Sequence, residues 1–177
     1  VAGGAEGDWS ERPTPDGGAP ARFQVASQSR WRSARTEGDA ANRVVIATDP
    51  AADAAAGYDL TTLHAVQSAN DWYFGWHVAA DGGADYVLYL DLDHVEGSGG
   101  ATDPLGNPVS ATGAHLPEYV IVVEGGAAPV ASNTWIYRWT GSAWATRQNL
   151  ASLGGGLAFA DGYLEIRVRG TDIGMED

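Results

Sequence analysis

The sequence predicts an all-β fold, a two-sheet antiparallel β-sandwich of jelly-roll type, and three observations lead there. Short runs with alternating polarity recur between turn clusters, and that period of two belongs to strands. The 24 Gly and 8 Pro imply frequent turns, as sandwiches and barrels require. Seven Trp, seven Tyr and many branched aliphatics supply a core large enough for one domain of 177 residues.

Taken in chain order, residues 1–22 are rich in Gly, Pro and Ala around a lone Trp9, and read as an N-terminal arm or linker; residues 23–177 form the sandwich module. The chain opens at Val1 rather than Met, which reads as a processed product or an excised segment. A polar stretch around Phe23, Val25 and Trp31 precedes a short strand at Arg43–Ala47, ended by Thr48, Asp49 and Pro50. Leu60–Gln67 and Asp71–Ala79 make a hairpin about Ala69 and Asn70, with Trp72, Phe74, Trp76 and Val78 on one face of the second strand. Asp85–Asp93 alternates in the same way, carrying Tyr86, Leu88, Leu90 and Leu92 on one face and Asp91 and Asp93 on the other. The loop Val95–Pro117 is long for a compact domain, and such loops organise ligands or carry function. Glu118–Glu124 is nearly all apolar and reads as a central strand. Asn133–Gln148 turns at Thr140, Gly141 and Ser142, and Leu157–Arg169 turns at Asp161-Gly162, a pair suited to the positive φ of a tight hairpin.

The net charge is −13, and all ten basic residues are Arg. That balance argues against nucleic acid, whose phosphates need a cationic stripe, and against anionic lipid surfaces. No apolar run reaches membrane-spanning length, so membrane insertion is not expected. Cysteine is absent, which removes disulfides and thiolate metal sites. Between Val44 and Tyr137 the chain carries twelve carboxylates and no Arg or Lys. Most of these read as a solvated acidic surface that maintains solubility.

Two clusters invite a cation. Asp49, Asp53 and Asp59 converge from one short loop, and Asp91 and Asp93 precede a Gly-rich loop that reaches Asp103. Several carboxylates at flexible spacing suit calcium, a hard ion taking six to eight oxygens. The plainer reading makes Asp49 and Asp59 turn residues. His64, His77, His94 and His115 show no paired spacing, which makes zinc improbable, and Ser98 lacks the first glycine of a nucleophile elbow. Asp91-Leu92-Asp93-His94-Val95-Glu96 has the outline of the laminarinase-like glycoside hydrolase motif, with Asp91 where the nucleophilic Glu belongs. A side chain one methylene shorter leaves attack distance, so no enzymatic activity is expected. Trp135, Tyr137 and Trp139 share one strand face, with Trp144 across the turn. Indole rings stack on sugar faces, which makes Trp135, Trp139 and Trp144 candidate carbohydrate-binding residues, although a period-two aromatic row is more often core.

Asp8-Trp9, Asp49-Pro50 with Asp53, Tyr58-Asp59-Leu60-Thr61, Asn70-Asp71-Trp72-Tyr73-Phe74 and Tyr89-Leu90-Asp91-Leu92-Asp93 with Gly97-Ser98-Gly99-Gly100 occur in that order. The series resembles the DOMON-like, family 9 carbohydrate-binding-module superfamily, in particular modules attached to bacterial amylases, glucodextranases and large surface proteins. The resemblance implies a two-sheet sandwich, calcium at Asp49, Asp53, Asp59, Asp91 and Asp93, and often a sugar clamped between aromatic rings. It also implies a secreted or cell-surface bacterial setting and a polysaccharide or oligosaccharide partner. Such modules continue past the last hairpin with another strand, and its absence here would favour self-association through the incomplete C-terminal edge. A structural subunit of a surface layer or filament is the alternative function, and a laminarinase-like hydrolase the second.

Overall fold

The computed structural model of the chain describes residues 44–48, 60–68, 70–78, 85–109, 114–124, 130–160 and 162–175. The arm expected at 1–22, the strand expected around Phe23, and Asp49, Asp53 and Asp59 lie outside the described residues. Nine strands are described: β1 Val44–Thr48, β2 Leu60–Ser68, β3 Asp71–Val78, β4 Tyr86–Leu90, β5 Tyr119–Val123, β6 Thr134–Arg138, β7 Gln148–Asn149, β8 Gly156–Ala160 and β9 Tyr163–Arg169. They form two antiparallel sheets, ordered β1-β2-β3-β9-β8 and β4-β5-β6-β7. This is the all-β sandwich the alternation predicts. The chain passes from the first sheet to the second after β3 and returns after β7.

Each sheet buries the face its sequence makes apolar. Trp72, Phe74 and Trp76 of β3 pair with Val168, Ile166 and Leu164 of β9, and all six are buried. From the second sheet Tyr86, Leu88 and Leu90 face inward with Tyr119, Ile121 and Val123 of β5. Trp76 meets Tyr86 across the two layers, ring centroids 6.1 Å apart. β5 is buried on both faces, the inner one against the first sheet and the outer one, Val120 and Val122, between the larger side chains of Tyr89, Tyr137 and Trp135 on β4 and β6. Past β9 a 3₁₀ turn, Gly170–Ile173, tucks Ile173 fully into the core, and the Gly170 N–H donates to the Asn70 carbonyl.

Two expectations are corrected. β4 stops at Leu90, so Asp91 and Asp93 do not share a strand face. Each turns its carboxylate onto the backbone just ahead, Asp91 Oδ1 accepting from the His94 N–H at 2.9 Å and Asp93 Oδ1 from the Val95 N–H at 2.8 Å. Such local bonds compete with ladder pairing and end the strand. The aromatic row of β6 faces away from the core, where Ile136 and Thr134 are buried instead. Its return strand is short, since Trp139 and Trp144 make a single bridge and only Gln148 and Asn149 pair as β7.

Ile121, fully buried between the sheets, should lose about 2–5 kcal/mol of stability on Ile121→Ala. The exposed Val95 should change stability by less than about 0.5 kcal/mol on Val95→Ala. Urea titration followed by tryptophan fluorescence compares the two.

Candidate metal centre and aromatic face

Antiparallel pairing of Leu90 with Tyr119 brings the exit of β4 and the approach to β5 to one end of the second sheet. The Glu118 N–H donates to the Leu90 carbonyl at 3.0 Å, and Glu118 Oε2 accepts from the Leu92 N–H at 2.7 Å. The connecting loop folds back on itself, Gly97 N–H to Ala114 carbonyl and Gly100 N–H to Pro117 carbonyl, both at 3.0 Å. Gly99 has φ +81°, and a Cβ there would lie 2.4 Å from the Leu116 carbonyl oxygen, so only glycine fits. A Cβ on Gly100 would strike the Trp144 ring at 2.5 Å.

This folding brings His115 and Glu118 to Asp91, Asp93 and His94, five side chains from two separate stretches of the sequence. Asp91, Asp93 and Glu118 form one group, and Asp91, His94 and His115 another, each with its ligand atoms within 4.8 Å of one another. Ser98 sits amid the first group: its Oγ is 2.7 Å from Asp93 Oδ1, 2.7 Å from Glu118 Oε1 and 3.0 Å from the Val95 carbonyl. A hydroxyl carries one proton and satisfies one acceptor at a time. Two carboxylate oxygens crowded around one O–H are therefore short of positive charge, and a hard cation would supply it. In the second group Asp91 Oδ2 lies 3.2 Å from His94 Nδ1 and 3.5 Å from His115 Nδ1, and the imidazoles stack at 4.4 Å.

Asp103 stands apart from both groups. Buried at 3 % exposure, it organises its own loop. Oδ1 accepts the Leu105 and Asn107 N–H groups at 2.9 and 2.8 Å, while Oδ2 accepts the Tyr89 hydroxyl at 2.9 Å and Asn107 Nδ2 at 3.1 Å. Burial opposes its ionisation, but the bonds from Asn107, Tyr89 and Leu105 outweigh that and hold the carboxyl below its usual value. Conversely, burial, the hydrogen bond to Asp103 and the Asp103 charge push the Tyr89 phenol up to about 12.

The outer face of the same sheet is aromatic. Tyr89 and Tyr137 flank Val120, Val87 and Trp135 flank Val122, and Trp139 continues the row past the end of β6. Trp139 and Trp144 meet edge to face at 5.2 Å, and Trp144 Nε1–H donates to the Thr102 carbonyl at 2.7 Å. Trp135 is capped, because the Arg147 guanidinium lies 3.8 Å from its ring centre and is held by Glu124 at 3.0 Å. Of the three tryptophans singled out from sequence, Trp139 and Trp144 come together and Trp135 is covered by a cation. His115 and Glu118 were missed for want of local spacing, and His94 because, three residues after Asp91, it had no second histidine nearby in the sequence. The available signal was topological, since pairing two neighbouring strands antiparallel must join residues 91–94 to 115–118.

Comparison with protein-family models, with curated proteins and with solved structures gave no match to this chain.

A carboxyl held below its unfolded-state pKa stabilises the fold above that value, about 3.9 for Asp, and the stability is lost as pH falls through the lower native value. Asp103→Asn should therefore lower stability at pH 7 and flatten the loss below about pH 4. Denaturant titrations from neutral to acid pH test this. An acid limb as steep in the variant as in the parent would assign the loss to other carboxylates.

Proposed function

We propose that the chain is a non-catalytic module of an exported bacterial protein that binds carbohydrate on the aromatic face of its second sheet and takes calcium at Asp91, Asp93 and Glu118. The observation that carries the reading is the outward row Tyr89, Tyr137 and Trp139 with Trp144, placed away from a core already filled by Trp72, Phe74 and Trp76. Tyr89 is exposed and Tyr137, Trp139 and Trp144 are half-buried, so each offers part of a ring to the apolar face of a pyranose, with Asn149, Arg147 and Glu124 at the rim already engaged by Ser132, Trp135 and one another. A neutral glycan also suits a surface of net charge −13, which would repel an anionic ligand.

Calcium fits the oxygen set at the sheet end. Asp91, Asp93 and Glu118 offer carboxylates, and the Ser98 hydroxyl and Val95 carbonyl stand beside them. No cationic side chain is ion-paired to Asp93 or Glu118 among the described residues. The catalytic outline of Asp91, Asp93 and Glu96 finds no support in the local geometry. Those residues follow the end of β4 rather than lining a strand, and Glu96 is exposed in a turn.

Neutral gluco- or xylo-oligosaccharides should shift the tryptophan fluorescence saturably. Trp139→Ala or Tyr137→Ala should weaken binding about tenfold or more, each removing a stacking contact of roughly 1 kcal/mol and its buried area. Saturable binding that both variants leave unchanged would move the sugar site elsewhere.

Calcium at about 100 times its Kd should add about 2.7 kcal/mol of stability. EDTA should lower the melting temperature and calcium should restore it better than magnesium, which tolerates irregular oxygen shells poorly. Asp93→Asn and Glu118→Gln should shrink the increment. Asp172→Asn, at the C-terminal turn beside Arg169, should keep it. Equal melting curves with and without calcium would remove the ion from the reading.

A further inference from the structure

The imidazole pair beside Asp91 is not explained by the calcium set, since imidazole nitrogen is a poor ligand for a hard ion. His94 and His115 are far apart in sequence, yet their rings stack at 4.4 Å with an interplanar angle of 15°. Both present Nδ1 to one oxygen, Asp91 Oδ2, at 3.2 and 3.5 Å. Ligands at about 2.0–2.2 Å from a tetrahedral zinc ion stand roughly 3.3–3.6 Å from each other, close to both Nδ1–Oδ2 distances. Hydrogen bonding accounts for the His94 edge only. The Nδ1 atom of His115 is buried and has no hydrogen-bond partner.

The backbone on both sides of the pair is shaped for the encounter. His94 and Ala114, the residue before His115, have φ of 58° and 56°, and they are the only non-glycine residues with positive φ among those described. That conformation is uncommon outside glycine. At His94 it is held by the N–H bond to Asp91 Oδ1, and at Ala114 the carbonyl accepts from the Gly97 N–H. Side-chain exposures of 39 % for His94, 19 % for His115 and 20 % for Asp91 leave the group open to solvent on one side.

We infer that His94, His115 and Asp91 form a binding site for a divalent transition-metal ion of the zinc or cobalt class. Two imidazoles and one carboxylate are a donor set that selects such ions over calcium and magnesium. Each lone pair must point at the ion within its own ring plane, which two parallel rings cannot both do. Binding therefore turns at least one imidazole about Cβ–Cγ and opens the stack. The site shares Asp91 with the proposed calcium group but stands or falls independently of it, and independently of sugar binding.

The test uses the full chain without a purification tag, stripped of metal. Titration with Zn²⁺ should give one ion per chain at micromolar Kd or tighter, and Co²⁺ should give the absorption of a four-coordinate complex. His94→Ala and His115→Ala should each weaken uptake at least tenfold, with His115→Asn as a smaller change should the alanine variant unfold. Equal melting temperatures in EDTA establish that the variants are folded. Asp93→Asn should shrink the calcium increment while costing zinc affinity less than either histidine variant does, since it removes a neighbouring charge and no zinc ligand, so the two sites are told apart. His64→Asn and His77→Asn, remote on the first sheet, should also leave zinc binding unchanged. Ring-proton resonances of His94 and His115 should shift on zinc addition as the stack opens. No zinc uptake at micromolar concentration, or uptake unchanged in the double His94→Ala/His115→Ala chain, would overturn the inference.

Discussion

The pairing of β4 with β5 is the constraint on which the functional end of the sandwich depends. Leu90 opposite Tyr119 fixes where the loop 91–118 begins and ends, and β5 is the most buried strand of its sheet. Closing a long loop costs entropy that grows only slowly with its length, and here the core strands supply the closure. Asp91, Asp93 and Glu118 are thus brought together by apolar burial elsewhere, against their own repulsion. The loop then fastens itself through Gly97 to Ala114 and Gly100 to Pro117, and Ser98 is delivered between two carboxylates. Like charges gathered without a basic partner are a cost that a bound cation would turn into a gain.

The second sheet also shows why an aromatic strand does not announce its buried face. β6 alternates Thr134, Ile136 and Arg138 against Trp135, Tyr137 and Trp139. By apolar area alone the second set belongs inside. Register decides otherwise, because Ile136 stands opposite Ile121, whose side chain is already in the core, and Tyr137 stands opposite Val120 on the other face. Space between the layers is taken by Trp72, Phe74 and Trp76. The outward aromatics find other company: Arg147 over Trp135, the Trp139–Trp144 pair, and the loop that buries Asp103 beneath the Tyr89 hydroxyl.

Much of the fold was legible because period-two alternation is a local property. β2, β3, β5 and the β8–β9 hairpin stand where alternation and turn residues put them, as does the turn at Gly141, with φ 95°. The site was legible only in part. Asp91 and Asp93 declared themselves as acidic neighbours. Glu118 and His115 reach them through strand pairing, and His94, their neighbour in sequence, turns its ring to Asp91 through a left-handed backbone, neither of which spacing can express. Asp103 shows the converse. Its type suits a metal ligand, but its oxygens are taken by Tyr89, Leu105 and Asn107. Whether a carboxylate faces an ion or its own backbone is set by the turn it sits in, and that geometry emerges only with the fold.

Sharing Asp91 couples the two proposed ions. Its Oδ1 is committed to the His94 N–H, which leaves Oδ2 as the oxygen facing both imidazoles. A transition-metal ion there would replace the His94 hydrogen bond at Oδ2 and add two positive charges beside Asp93 and Glu118. A calcium ion on the other side then loses a ligand and gains a repulsive neighbour, and by linkage each ion weakens the other by the same factor. Even in water, two dications about 5 Å apart repel by roughly 3 kcal/mol, more than a tenfold effect on affinity. The preferred occupant is then set by concentration. On the two proposals, calcium would prevail where it is abundant, and a scarcer ion of the zinc class where its tighter imidazole bonds offset the difference. The same residues that close the end of the sheet would in this way report which cation surrounds the protein, without any movement of the β-sandwich beneath them.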